Sequence, residues 1–543
     1  MSFTPEEKEL LKDYVTSSEE NVFAVRGMEG MVGAAYARYS RARGGFREVL
    51  LKEFIKEGVI DPRHADQLIE RILIAYGDDS VGELEGAHIS FENISMLATK
   101  EIEDRRIGGS PIEQSTRYVF YDQKIDSGHY RYLRSEEVLN APFGKLYEET
   151  VNSIFETYTS LIEPMKDYFG GLMPLEAAAY DINGDGAKEH YGDLKDEKDQ
   201  KAFRTTYTID LRTKACDSLR ALLPLATLTN VGIFGNGRFF QGVISHLYTS
   251  DMPEANRLGE KTFKAASEVI PQYVRRAARS EYLVSLRRNM REAAQILSDA
   301  VPEKFTAPHV KLLEPRDFLS STLAAAYYPF ANTSLEKLCQ KTSALPEEEK
   351  RKLLAIAVGN RKTRRDRPGR GFEDGYPLTF DLVTNWGVYK DLMRHRMNTQ
   401  ERQLFTTKVG FDMPEHLSRA GFESKARECV ERSDRLFDEM ANSDPILAQY
   451  AVLHGNFTRW TIGMNAREAF HLLELRTTPQ GHAQYRLIGQ MMHDEIAKKY
   501  PWLAAAMNFV DHNSYESARG DAEAHQRVKE RKLEEKFGAP NEG

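Results

Sequence analysis

Arg394, His395 and Arg396 stand side by side in DLMRHRMNTQERQ, residues 391–403, directly after the apolar pair Leu392 and Met393. Adjacent cations repel one another and lose solvation on burial, so a tight basic triplet behind an apolar run reads as a built anion site. A helix C-terminus that sets basic side chains against its dipole is the plainer alternative. A second set lies in EQSTRY, residues 113–118. The planar fork of Arg117 can take phosphate oxygens, with the Ser115 hydroxyl and the loop N–H groups as further donors. An edge turn with Arg117 in a surface ion pair competes with that reading. A third set is NAREAFHLLELRTTPQGHAQYR, residues 465–486. Arg467 and His471, four apart, fall on one face of a helix that begins after Asn465 and ends at Arg476, with His482 beyond it.

The elements that must hold these residues are mostly helical. Apolar residues recur at spacings of three and four over 145–168, 255–300 and 423–442. Runs rich in β-branched and aromatic residues predict strands at RYVFYD (117–122) and PLTFDLVTN (377–385). The polar piece YDINGDGAKEHYGDLKDEKDQ, residues 180–200, reads as a surface insertion. It opens like a calcium loop at Asp181, Asn183, Asp185 and Gly186, but its twelfth position is Gly192 where a bidentate Glu is needed. No metal ligands are assigned.

The chain also repeats itself. KEIEDRRI (100–107) aligns without gaps on KDLMRHRM (390–397), and TNVGIFGNGRFFQGVISHL (229–247) on TRWTIGMNAREAFHLLELR (458–476), in the same order. Thr229 and Thr458, Asn236 and Asn465, and Arg238 and Arg467 coincide. The expected organisation is two related α+β domains, helix-rich with a small sheet each, at 1–270 and 311–543, joined by a helical connector at 271–310. The length of 543 residues gives ample core for such a pair, and a net charge of −8 argues against a general nucleic-acid binder. The three cysteines, Cys216, Cys339 and Cys429, are far apart in sequence and form no CxxC pair, which fits a reducing compartment. With a charged N-terminus and no membrane-length apolar run, the expected location is the cytoplasm.

These motifs resemble the flavin-dependent thymidylate synthases. That family pairs RHR with a following Glu-x-Ser-x-Arg-Tyr segment, and an Asn-x-Arg helix ending in Leu-Arg with a following His-x-Gln. Here the pieces are divided between the halves. RHR and the 465–486 segment lie in the second half, and EQSTRY lies in the first. The RHR position of the first half holds Asp104, Arg105 and Arg106, Leu247 stands in place of Arg476, and Pro253 falls where His482 would be. One composite site per fused chain is the expectation, with its symmetric counterpart decayed.

The resemblance implies reductive methylation of dUMP to dTMP, with FAD as cofactor and NADPH and methylenetetrahydrofolate as co-substrates. It assigns Glu113, Gln114, Ser115, Thr116, Arg117, Arg220, Arg394 and Arg476 to substrate. Ser115, Arg117 and Arg476 form the catalytic set, Ser115 by binding and not by attack. Arg220 enters because it precedes Asn236 by the interval that separates a phosphate-binding arginine from Asn-x-Arg in the family. Arg476 resembles the arginine that stabilises developing charge on the uracil ring. FAD falls to Arg394, His395, Arg396, Asn465, Arg467, His471 and His482, with Ser80 and Glu83 added from YGDDSVGELEGAH (76–88). For His482 a purely structural role is the competing reading. The basic run NRKTRRDRPGRGFED (360–374) is either a phosphate- or folate-tail-binding loop or a solvated loop. No membrane or nucleic-acid partner is expected, and two fused chains would pair as a homodimer that mimics the family's tetramer. The rival readings are one-carbon transfer to another pyrimidine nucleotide and a non-catalytic nucleotide- or RNA-binding relative.

Overall fold

The computed structural model describes residues 3–28, 31–39, 42, 45–56, 59–60, 82–125, 127–299, 301–313, 317–360, 369–373, 378–505, 507–515 and positions 520, 524 and 528. Ser80 and the basic run 361–368 lie outside the described residues. The fold is α+β, with long helices around small sheets. The chain forms two compact units that are interleaved in sequence. One comprises residues 1–94, 98–113 and 229–284, and the other 95–97, 114–228 and 285–543. Among the described residues, no helix is long and apolar enough to cross a membrane.

The second unit carries a four-stranded sheet in the order Thr399–Arg402, Phe457–Met464, Leu378–Asn385, His309–Leu312, with each neighbouring pair antiparallel. FTRWTIGM of the Phe457–Met464 strand is buried at every position, because both sheet faces are covered. Trp460 at its centre is fully buried and donates its indole N–H to Thr384 Oγ1 at 3.0 Å, which satisfies the one polar atom of the ring. Two strands of this sheet lead into an asparagine that caps the next helix. Asn385 Oδ1 accepts from Val388 N at 2.9 Å and starts the Trp386–Leu392 helix. Asn465 Oδ1 accepts from Glu468 N at 3.0 Å and starts the Ala466–Arg476 helix.

The first unit repeats the plan. Its three-stranded sheet places Leu228–Asn236 between Gly86–Ser95 and Gly109–Glu113. Asn236 Oδ1 accepts from Phe239 N at 2.8 Å and starts the Gly237–Thr249 helix, as Asn465 does in the other copy. Here the middle strand alternates in burial, so one face is open and Ile112 and Phe234 are exposed.

The helical expectations hold for Gly144–Ser160 with Ile162–Leu172, and for Glu423–Ser443. The 255–300 stretch is three helices, Pro253–Val269, Pro271–Val274 and Glu281–Ala294, because Pro271 ends the first. The strand expected at 377–385 forms as Leu378–Asn385. The one expected at 117–122 does not: the strand lies earlier, at Gly109–Glu113, and RYVFYD is a turn followed by irregular chain. Its aromatic content serves burial, with Tyr121 inside the core, and Arg117 turns to a side-chain partner. In the 180–200 insertion, Asp181 spends both carboxylate oxygens on the amides of Gly184 (2.6 Å) and Gly186 (3.1 Å), so the loop closes on itself.

Candidate functional site

The second unit brings together groups from distant parts of the chain. Arg117 follows a turn in which the Ser115 hydroxyl accepts the Arg117 N–H at 3.2 Å. Its guanidinium then grips Asp217 with two parallel bonds, Nε to Oδ1 and Nη2 to Oδ2, both 2.8 Å. Asp217 sits in the last turn of the Glu197–Leu219 helix, one turn before Arg220. His482 Nε2 lies 3.7 Å from the same Asp217 Oδ1. His482 caps the Ala483–Lys499 helix, its Nδ1 accepting from Gln484 N at 3.2 Å, so its proton rests on Nε2. That Nε2 is buried and has no hydrogen-bond partner among the described residues.

Tyr485, one turn into that helix, continues the chain of contacts. Its ring centre is 6.3 Å from that of His482 and 5.6 Å from the Arg476 guanidinium. Arg476 ends the Ala466–Arg476 helix and donates Nε–H to His395 Nε2 at 2.9 Å. An imidazole nitrogen that accepts there leaves the proton on Nδ1, which donates to Glu468 Oε1 at 2.9 Å. Glu468, His395 and Arg476 thus form a polarised chain with the guanidinium at its end. Arg476 makes no other hydrogen bond among the described residues.

Arg220 is 4% exposed, its Nη1 3.7 Å from Asp391 Oδ2, and its Nη2 is buried without a hydrogen bond among the described residues. Asp391 lies on the Trp386–Leu392 helix, just before RHR. A Cβ at Gly387 would stand 3.2 Å from Arg220 Nη2, so glycine there makes room for the guanidinium.

Burial sets the charge states. Burial pushes the Asp217 carboxyl up, and the Arg117 guanidinium, with lesser help from Arg220, more than reverses it. His482 is pushed down to about 3, chiefly by burial and then by Arg220, against the pull of Asp217. A neutral imidazole supplies little charge, so Arg117 is what keeps Asp217 ionised. Burial also lowers His395, with Arg476 adding and Glu468 opposing. Cys216 is pushed up to about 12 by burial and by Asp217, and all three cysteines are buried and outside disulfides, so no thiolate is prepared here.

The His482 shift has a consequence for stability. Between its folded value of about 3 and an unfolded value near 6.5, only the unfolded chain binds the proton, so stability falls as pH drops through that window. The His482→Gln variant is expected to lose up to about 1.4 kcal/mol per pH unit of this acid dependence. Urea unfolding of both proteins between about pH 7 and 5 reads the difference. Asp381, pushed up to about 6 by burial, acts in the opposite sense but equally in both proteins. Identical slopes would mean that His482 is not buried as a neutral ring.

The other expected residues are placed as follows. Thr116 is buried, Gln114 and Arg394 are half-buried, and Arg396 is exposed. Arg467 is exposed and has no ion pair or hydrogen bond among the described residues. His471 is exposed and lies 3.4 Å from Glu468 Oε2. Asn465 spends its side-chain oxygen on the helix cap. In the first unit, Glu113 is buried and takes Lys100 Nζ at 3.1 Å, while Glu83 pairs with Arg238 at the surface. Sequence reasoning missed Asp217, Asp391, Glu468 and Tyr485. A signal was present for two of them: Asp217 precedes Arg220, and Glu468 precedes His471, by three residues on a helix.

Residues 28–272 and 325–502 match the model of the family described as Thy1, thymidylate synthase complementing protein. The chain belongs to this family. The two matched stretches agree with the repeated strand-and-helix plan of the two sheets. Relatives run nearly end to end with this Thy1 member. A UPF0159 protein of Chlamydia pneumoniae is 35% identical over 95% of this chain and 97% of its own. One from Chlamydia muridarum is 34% identical over 95% and 97%, and one from Thermoplasma acidophilum 32% identical over 92% and 98%. Among solved structures, the crystal structure of a UMP/dUMP methylase, PolB, from Streptomyces cacaoi bound with 5-Br dUMP covers 39% of this chain and all of its own, at 16% identity and a TM-score of 0.24.

Proposed function

We propose that this protein is an FAD-dependent thymidylate synthase with one composite site per chain. It methylates dUMP at the uracil ring, with methylenetetrahydrofolate as carbon donor and NADPH as reductant. The observation that carries the reading is the continuous set of contacts Arg117–Asp217–His482–Tyr485–Arg476–His395–Glu468. Its first two members come from the front half of the sequence and the rest from the back half. Membership of Thy1 supplies the reaction class.

The residues present suit an anionic nucleotide. A buried guanidinium nitrogen with no acceptor among the described residues, Arg220 Nη2, is costly unless a ligand oxygen meets it. Arg117 can contribute its remaining Nη1 while Asp217 holds the fork in place. Arg476, aimed by His395 and Glu468, can lie against the pyrimidine, where a fixed positive charge stabilises an electron-rich ring in the transition state. Tyr485 offers a ring face beside it. The donor set fits FAD also: Arg394 and Arg396, together with exposed Arg467, can neutralise its two phosphates. When bound, FAD supplies the hydride chemistry that no side chain here can provide. Ser115 holds its loop, its oxygen committed to the Arg117 amide.

The test is direct. Purified protein is expected to carry or take up flavin and to oxidise NADPH only when dUMP and methylenetetrahydrofolate are present. A colourless protein that cannot take up FAD would overturn the reading. Bound flavin with turnover on a different pyrimidine nucleotide would redirect it to the related one-carbon reaction. We further propose a homodimer in solution, which light scattering measures.

A further inference from the structure

The Ala483–Lys499 helix bears His482, Gln484 and Tyr485 at its start and His493 with Asp494 further along. After Pro501–Ala504 the chain returns, and residues 511–515 are pinned back towards this helix. Gln490 Nε2 donates to Asp511 O at 2.9 Å, and buried Arg486 donates Nη2 to Asn513 O at 2.9 Å. Tyr515 closes the loop through Asp511 Oδ2 at 2.7 Å. These bonds fix where His512 stands.

His493 Nε2 lies 3.2 Å from Ala504 O. A carbonyl only accepts, so Nε2 holds the proton and Nδ1 presents its lone pair. His512 Nε2 is 3.1 Å from that Nδ1. The rings meet at 62° with centres 5.1 Å apart, so nitrogens and not ring faces are opposed. A carboxylate oxygen of Asp494 lies within 4.8 Å of a ring nitrogen of each histidine.

We propose that His493 Nδ1, His512 Nε2 and a carboxylate oxygen of Asp494 form a site for a divalent transition-metal ion of the zinc class. Two imidazoles at zinc–nitrogen distances of about 2.0–2.1 Å around a tetrahedral ion stand roughly 3.3–3.4 Å apart, so the present spacing needs to open only slightly. The backbone carbonyl on the far nitrogen of His493 is the arrangement that orients a metal-bound imidazole. Metal entry moves the His512 proton from Nε2 to Nδ1 through solvent and leaves both rings neutral. Three protein ligands leave a fourth position for water. The ion would tie the returning C-terminal segment to the helix that presents His482 and Tyr485.

The other His–carboxylate cluster, His395 with Glu468 and His471, lacks this readiness. Arg476 donates to one nitrogen of His395 and the other donates to Glu468, so His395 has no lone pair to offer. The two clusters can therefore be told apart by experiment.

Untagged full-length protein, stripped with a chelator, would be titrated with Co²⁺ and then Zn²⁺. The expected result is about one equivalent bound, with visible Co²⁺ bands that Zn²⁺ abolishes and a rise in Tm. His512→Ala and Asp494→Asn, both at exposed positions, are expected to weaken binding at least tenfold while the apo proteins melt as the parent does. His471→Ala is expected to bind as the parent does. Parent-like binding by His512→Ala, loss of binding in His471→Ala, or no binding by the parent would each overturn the proposal.

Discussion

Arg476→Ala is expected to reduce kcat by about 10²- to 10³-fold while flavin stays bound, the size of effect seen when one preorganised donor to a developing charge is removed. The expectation rests on how the guanidinium is held. Its Nε is fixed by buried His395, and His395 in turn by Glu468, so the fork reaches the ligand already oriented. Arg476→Lys would not restore the rate, because an ammonium on a flexible stem has no Nε to bond His395 and no planar fork. The matched control is Arg105→Ala. Arg105 occupies the equivalent of His395 in the first copy and is exposed there, and turnover is expected to stay within about twofold of the parent, as for an ordinary surface substitution. Steady-state assays of the three variants, with flavin absorbance as the check on the fold, decide the matter. If Arg105→Ala were as damaging as Arg476→Ala, the decayed position would have to be a working site.

Arg117→Ala is expected to act on substrate capture and on the fold together. Loss of one charge-assisted bond to phosphate, about 1.5–3 kcal/mol, corresponds to a rise in KM for dUMP of roughly 10- to 150-fold. The same change strands Asp217. The pair is 13% and 22% exposed, enclosed enough that removal of one partner destabilises the protein by about 3–5 kcal/mol. The double variant Arg117→Ala/Asp217→Asn separates the two effects: it is expected to regain much of the stability while KM stays high. Urea unfolding and dUMP saturation curves measure them. A double variant with parent KM would show that Arg117 only buttresses Asp217 and never meets the substrate.

The repeat, the helical character and the strand at Leu378–Asn385 were legible because periodicity and internal alignment survive in one sequence. The basic members of the candidate site were legible too, since Arg117, His395, Arg476 and His482 sit in recognisable motifs and Arg220 at a recognisable interval before Asn236. What could not be read were the partners that hold them. Asp217 and Glu468 look like any helical acid until the fold sets them against Arg117 and His395. RYVFYD misled because β-branched and aromatic content signals burial as much as extension, and tertiary contacts decided between the two. Asn465 illustrates another ambiguity. Its position in a site motif suggested a ligand contact, yet its oxygen caps a helix, and Asn236 does the same in the copy that carries Leu247 and Pro253 in place of Arg476 and His482. The asparagine is retained in both copies because both helices need a start.

The interleaved tracing of the two units bears on how the gene could be taken apart. Residues 114–228 lie on the amino-terminal side of the connector expected at 271–310 yet fold with residues 285–543. Severing the polypeptide there would not yield two self-sufficient modules, since the fragment with Arg476 would lack the helix that bears Asp217 and the turn after it that bears Arg220. Once such dependence was established, reversion to separate genes would have required each product to regain what the other supplied. The fusion works as a ratchet.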